Sequence, residues 1–318
     1  MTTDSNKKLA FVFPGQGSQS VGMLTELAGV YPVVTETFAE ASSVLGYDLW
    51  NIVQNGPADE LNKTHVTQPA MLAAGVAVWR VWQSHQGLSP VVMAGHSLGE
   101  YTALVCSDAL EFTAAVSLVS DRGRFMQEAV PAGEGAMAAI LGLDDNKVVA
   151  ACEQAAQGEV VAAVNFNSPG QVVIAGNTTA VQRVVELVKQ AGAKRAVILP
   201  VSVPSHCALM KPAADKLAAR LQKIEIRSPK IPVVNNVDVT VATEPDTIRA
   251  ALARQLHNPV RWVETIQKIA GEKVYRLVEC GPGKVLVGLN KRIERQMQAY
   301  AVYDTGSLEE TMMKLKEN

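Results

Sequence analysis

The stretch Val91-Val92-Met93-Ala94-Gly95-His96-Ser97-Leu98-Gly99-Glu100-Tyr101 holds residue types from which acyl chemistry can be built. Val91 to Ala94 predict a short buried strand, Gly95 and Gly99 bracket Ser97 in a G-x-S-x-G pattern, and the residues from Glu100 onward continue as a helix. A strand-to-helix turn that sharp crowds its own backbone, so small residues are needed on both sides of the serine. The hydroxyl then stands above the sheet. The following N–H, that of Leu98, faces the same space at a helix N-terminus, where developing negative charge is favoured. The competing reading is an ordinary glycine-rich turn whose serine caps a helix.

A hydroxyl is a weak nucleophile near neutral pH and needs a base, most often histidine. Of the five histidines, His65 and His85 lie in polar surroundings near helix ends, His257 follows a helix, and His96 points away from Ser97 if the turn is an elbow. His206 combines a loop, a helix start with Ser205 as N-cap, and a junction between two predicted domains, where clefts form. Cys207 beside it is a weaker nucleophile candidate, because no turn exposes it as the elbow exposes Ser97. The four cysteines form no C-x-x-C pair and read as reduced structural thiols. Arg122 and Arg124 sit on a helix predicted over 113–130, and such a pair is ordinarily a solvated face.

A second glycine-rich loop, Pro14-Gly15-Gln16-Gly17-Ser18-Gln19, leaves a predicted strand at Leu9–Phe13. In open α/β sheets ligands bind at the carboxyl ends of strands, so this loop either lends a backbone N–H to an oxyanion hole or is a plain connection. It lacks the third glycine of a dinucleotide fingerprint, and Cys280-Gly281-Pro282-Gly283-Lys284 is no phosphate loop, because Val278 stands where a glycine is required.

The elements that must position these groups fall into two kinds. From Gly135 to Val201 the order is β-α-β-β-α-β: strands at 135–142, 160–167, 171–175 and 194–201, helices at 144–155 and 178–191. That is a ferredoxin-like small domain, 131–202, inserted into a catalytic domain formed by 1–130 and 203–318. The fold class is α/β: a hydrolase-like doubly wound core with a mainly parallel sheet plus the ferredoxin-like insert. Further helices are predicted over 23–44, 67–86, 246–256 and 262–270, and from the Cys280 loop to about 296; further strands lie over 231–237 and 274–279. From Ser307 the tail is a charged helix or a frayed end. The histidine precedes the last third of the chain, with a whole domain between it and the serine, which fits a simple lipase or esterase badly.

The chain has 318 residues, 48% hydrophobic and 19% charged, with formal net charge −2, which describes a globular protein and argues against nucleic-acid binding through bulk charge. No apolar run approaches the roughly 20 residues of a membrane-spanning helix. The segment Met1 to Lys8 lacks the apolar core of a signal peptide, so the location implied is cytoplasmic.

Several motifs occur together and in order: Phe13-Pro14-Gly15-Gln16-Gly17-Ser18-Gln19, Gly95 to Tyr101, Arg122-Gly123, Gly135-Ala136-Met137, Asn165, Asn167-Ser168-Pro169 and Pro204-Ser205-His206. With Asn235, Gln255, Asn258 to Trp262 and Gly281-Pro282-Gly283, they resemble the malonyl-CoA:acyl carrier protein transacylase family of bacterial type II fatty acid synthesis. The resemblance runs from about Leu9 to Arg295. It implies an acyltransferase acting through a malonyl-serine intermediate, with Ser97 as nucleophile, His206 as base and Arg122 holding the malonyl carboxylate. It further implies an oxyanion hole from the backbone N–H groups of Gln16 and Leu98, and a backbone carbonyl at Gln255 orienting the histidine. The partners implied are malonyl-CoA and acyl carrier protein, with neither nucleic acid nor membrane. No cofactor and no metal are implied, because the CoA thioester is a substrate. An acidic carrier suggests a basic rim, for which Lys194, Arg195, Lys211, Lys284, Lys291 and Arg292 are candidates beside their reading as ordinary surface charge. A thioesterase or esterase using the same serine and histidine with water, a transferase for another acyl-CoA, and a noncatalytic carrier-binding scaffold are the alternatives.

Overall fold

Leu9–Phe13 is an unbroken apolar run and forms β1, buried along its whole length at the centre of a five-stranded sheet. The computed structural model describes residues 8–201 and 203–317; the polar segment Met1–Lys7 and Ser202, at the expected domain boundary, lie outside the described residues. The single helix expected over 23–44 is two, α1 (Thr25–Val30) and α2 (Pro32–Leu45). Pro32 has no N–H to donate and opens a new helix at its first position, with Tyr31 extended between the two. Two short helices that the sequence pattern did not announce follow: α3 (Leu49–Asn55), whose N-cap Asp48 accepts from the Asn51 N–H, and α4 (Ala58–Leu61). Next comes α5 (Thr64–Ser84), buried over most of its length, with Trp79 and Trp82 packed edge-on against Phe11, each at 5.2 Å.

After β2 (Val92–Gly95) come α6 (Gly99–Cys106) and α7 (Phe112–Ala129), the latter capped by Glu111, whose side chain accepts from the Thr113 and Ala114 N–H groups. The chain then builds a second sheet from β3 (Gly135–Leu141), β4 (Val161–Ser168), β5 (Gln171–Asn177) and β6 (Arg195–Ile198), with α8 (Asp145–Ala156) and α9 (Thr178–Gln190) between them. Its order is β4-β5-β3-β6 and every pairing is antiparallel, the ferredoxin-like arrangement. Alternate residues separate its two faces. Ala138, Ile140 and Ile174 pack under α8 and α9, while Met137, Val173 and Ala175 pack with Cys207 on the opposite face.

A 3-10 turn at Ala208–Met210 leads into α10 (Lys211–Leu221), so Ser205 is not an N-cap; its hydroxyl donates to the Val203 carbonyl at 3.4 Å. The strand expected over 231–237 shortens to β7 (Val233–Val234), because Asn235 and Asn236 leave the ladder for side-chain bonds. Then follow α11 (Pro245–Gln255), α12 (Trp262–Gly271), β8 (Arg276–Cys280), α13 (Val285–Ile293), β9 (Gln298–Val302) and α14 (Thr305–Glu317). The first sheet runs β7-β2-β1-β8-β9 with all neighbours parallel. A parallel sheet must be covered on both faces. Leu9, Phe11 and Phe13 point into a core shared with α2, α5 and α7, and Ala10 and Val12 into one shared with α12 and α13. Among the described residues no helix is long and apolar enough to cross a membrane.

Candidate active site

The turn between β2 and α6 is backbone packed on backbone. A Cβ on Gly95 would lie 1.8 Å from the Gly99 carbonyl carbon, and one on Gly99 would lie 2.0 Å from the Phe13 carbonyl oxygen, so neither position admits a side chain. Between them Ser97 has φ of 51°, a left-handed conformation that a serine holds only under constraint. One restraint comes from across the sheet: Asn236 accepts the Ser97 N–H at 2.7 Å and donates its amide to the Gly95 carbonyl at 2.7 Å.

His206 also has positive φ, 66°, and its N–H donates to the Leu256 carbonyl at 2.9 Å. Its Nδ1 lies 2.7 Å from the Gln255 carbonyl oxygen. A carbonyl only accepts, so Nδ1 carries the proton and Nε2 of the neutral ring is the acceptor. That Nε2 lies 2.8 Å from Ser97 Oγ, the distance at which a base takes a hydroxyl proton. Burial, with the Arg122 charge behind it, pushes the imidazole pKa down to about 3, so the resting ring is neutral.

Arg122 is buried, 1% exposed, and the solvated-face reading of the arginine pair does not hold for it. It points inward from α7: Nη1 donates to Gln68 Oε1 at 2.8 Å, and Nη2 to Gln255 Oε1 at 3.0 Å and to Ser97 Oγ at 3.2 Å. The guanidinium also stacks 5.3 Å from the Tyr101 ring centre. None of these partners is a carboxylate, so the cation faces the cleft without an ion pair among the described residues. Arg124, two residues on, is the solvated member and pairs with Asp121 at 2.8 Å.

Beneath the turn Glu100 is 2% exposed, and its Oε2 accepts from the Asn236 N–H at 2.9 Å and the Gln255 Nε2 at 2.8 Å. Burial pushes its pKa up to about 7 against the pull of those two donors. Gln16 and Leu98 both line the cleft above Ser97, and neither backbone N–H has a hydrogen-bond partner among the described residues. The cleft has a volume of about 420 Å³ and is walled by Met126 from one sheet's helices and by Met137, Asn165 and Leu199 from the other sheet. His96 lines it too, with Nε2 bonded to Asn167 Oδ1 at 2.8 Å, so it does not turn away from the site.

The structure therefore brings Ser97, His206, Arg122, Gln16 and Leu98 to one cleft, with Gln255 buried behind it and bonded to His206 and Arg122. It places none of Lys194, Arg195, Lys211, Lys284, Lys291 and Arg292 in the cleft lining; Lys211 pairs with Asp215, and Arg292 donates to Gln171 at 2.8 Å. Cys207 is buried, its thiol donates to the Pro204 carbonyl, and burial pushes its pKa up to about 11, which leaves it inert as a nucleophile. Sequence reasoning missed Gln68, Glu100 and Asn236. The signal for Asn236 was a polar pair breaking an apolar strand; for Gln68 there was none beyond a polar residue on an otherwise apolar helix face.

A serine, a neutral imidazole, two free amides and a buried cation in one cleft define a site for acyl transfer through an anionic tetrahedral intermediate. The chain belongs to the acyl transferase family, whose model, described as an acyl transferase domain, matches residues 10–304. It is similar to the malonyl CoA-acyl carrier protein transacylase of Escherichia coli (strain K12), 62% identical over 301 residues that cover 95% of this chain and 97% of that protein. Among solved structures it is similar to an acyl carrier protein S-malonyltransferase from Vibrio cholerae O1 biovar eltor, with a TM-score of 0.93, 60% identity, and coverage of 95% of this chain and 99% of that one. A malonyl-transacylase solved in complex with its type II PKS acyl-carrier protein matches with a TM-score of 0.96 and 60% identity over 96% of this chain and 99% of that one.

Proposed function

We propose that this chain transfers the malonyl group from malonyl-CoA to the phosphopantetheine thiol of acyl carrier protein, in fatty acid biosynthesis. The observation that carries the reading is the placement of Ser97 Oγ 2.8 Å from the His206 Nε2 and 3.2 Å from the Arg122 Nη2. A nucleophile with its base on one side and an unpaired guanidinium on the other suits a thioester that ends in a free carboxylate. In the first half-reaction His206 takes the hydroxyl proton as Ser97 Oγ attacks the thioester carbonyl, and the N–H groups of Gln16 and Leu98 hold the oxyanion. The intermediate collapses, the C–S bond breaks, and CoA leaves as its thiol with the proton from His206. In the second half-reaction the carrier thiol gives its proton to His206 and attacks the malonyl ester, and the Ser97 hydroxyl is restored. The Gln255 carbonyl keeps Nδ1–H pointed away from the serine through both halves. The chemistry needs no cofactor. The four free, buried thiols fit a reducing compartment, and the proposal places the activity in the cytoplasm.

Intact-protein mass spectrometry after mixing with malonyl-CoA tests this directly. The wild type is expected to gain one malonyl group that carrier protein then removes; a group lost to water at the same rate with or without carrier would favour a hydrolase instead.

A further inference from the structure

Two acidic side chains are buried among the described residues, Glu100 and Glu279. Glu279 is accounted for locally, since it accepts the N–H groups of Leu286 and Val287 in the first turn of α13. Glu100 is different: it lies in the first turn of α6, and its two donors come from segments distant in sequence, Asn236 just after β7 and Gln255 at the end of α11.

Each of those donors leads on to the reacting groups. Asn236 holds the N–H of Ser97 and the carbonyl of Gly95. Gln255 uses its Nε2 on Glu100 at 2.8 Å and on the Ser97 carbonyl at 3.1 Å, and its Oε1 on the Arg122 guanidinium at 3.0 Å. A glutamine amide has one donating and one accepting end, and only its partners decide which way it faces. Arg122 can only donate, so Gln255 must turn Oε1 toward it, and the accepting Glu100 oxygen at the Nε2 end holds that orientation whether or not the carboxyl is ionised. With that acceptor withdrawn, the donor end keeps only the longer bond to Ser97.

The separation of the two charges also matters. No ion pair joins Glu100 to Arg122, and one glutamine amide stands between them. A carboxylate bonded directly to the guanidinium would occupy the fork that a substrate carboxylate must take. Glu100 lends its oxygen to Gln255 without placing a second carboxylate on the guanidinium.

We infer that Glu100 is a positioning residue for dicarboxylate selection: as a fixed acceptor it orients the Gln255 amide, which sets the Arg122 guanidinium beside Ser97, and through Asn236 it ties the same oxygen to the elbow. The inference rests on the malonyl-transfer reading of the site. Glu100 acts through its neighbours and lines no part of the cleft.

The test compares Glu100→Asp with Glu100→Gln in the full chain, each confirmed folded by its melting temperature, by the initial rates of Ser97 acylation from malonyl-CoA and acetyl-CoA. Aspartate keeps the charge and withdraws the oxygen by one methylene; glutamine keeps an oxygen at the same reach and removes the charge. Glu100→Asp is expected to lower the malonyl-over-acetyl ratio about tenfold, and Glu100→Gln to stay within about threefold of the wild-type ratio. An aspartate variant that keeps the ratio, one that lowers both rates equally, or a glutamine variant that loses as much as the aspartate would each overturn the inference. If Glu100→Asp does not fold, Gln255→Leu cuts the same link from its other end and is expected to lower the ratio similarly; an unchanged ratio there also overturns it. A wild type that takes acetyl and malonyl equally would instead refute the functional reading, so the two failures are told apart.

Discussion

The two sheets of this protein are packed by opposite means. Between Gly135 and Ile198 the described residues bury one polar side chain, Ser168, and the core under α8 and α9 is aliphatic and alanine-rich. At the carboxyl ends of β1, β2 and β7 the chain buries Gln68, Glu100, Arg122, His206, Asn236 and Gln255, linked by hydrogen bonds. Positive φ angles at Ser97 and His206 add strain to the same place. An apolar core tolerates small adjustments and costs little to assemble, whereas a buried polar set is favourable only when every partner is met. The antiparallel lobe can therefore serve as a wall, contributing Met137, Asn165 and Leu199 to the cleft, while the chemistry rests on the network opposite.

Substitutions on the two sides should separate in kind. The largest effect is expected from Ser97→Ala, which removes the acceptor atom: no malonyl adduct should appear on the chain by intact mass, and an adduct that persists would move the nucleophile elsewhere. Arg122→Ala comes next. Loss of a two-pronged guanidinium–carboxylate contact is worth on the order of 1.5–3 kcal/mol, so malonyl-CoA use should fall roughly 10- to 150-fold with acetyl-CoA much less affected. Equal losses on both substrates would remove the selectivity role. In the other sheet, Ile174→Ala empties a fully buried position and should cost about 2–5 kcal/mol of stability, measured by denaturant unfolding. Its acylation rate per folded molecule should stay near wild type, and a large loss there would show the lobe to be more than a wall.

The smallest expected change is with pH. Burial and the Arg122 charge hold His206 near a pKa of about 3, below its ordinary 6.5, so the neutral base persists as acid is added. Acylation of Ser97 should therefore stay flat from about pH 8 to about pH 5. A falling limb centred near 6.5 would mean that the imidazole titrates as it does in water.

Much of this was legible in the residues, for physical reasons that differ from place to place. The elbow is announced by its glycines because backbone crowding leaves no other choice at 95 and 99. The second sheet is announced by alternation and turn residues, both local signals. What escaped depended on partners distant in sequence. Nothing in α7 distinguishes Arg122 from Arg124 until α5 and α11 supply Gln68 and Gln255. Asn236 and Glu100 are 136 positions apart and meet only across the sheet. Local punctuation was also underread: Pro32 divides a helix that periodicity had joined, and β9 is a mixed, half-exposed strand whose pattern is weak.

The pairing of β1 with β2 works as a ruler. Phe13 stands opposite Gly95, and Gln16 and Leu98 each follow three residues beyond those two positions. Two residues from unrelated loops thus set out from paired strand ends and line one cleft. If their amides form the proposed oxyanion hole, lengthening the turn after Phe13 by a single residue should separate them and slow acylation even with every side chain of the cleft kept.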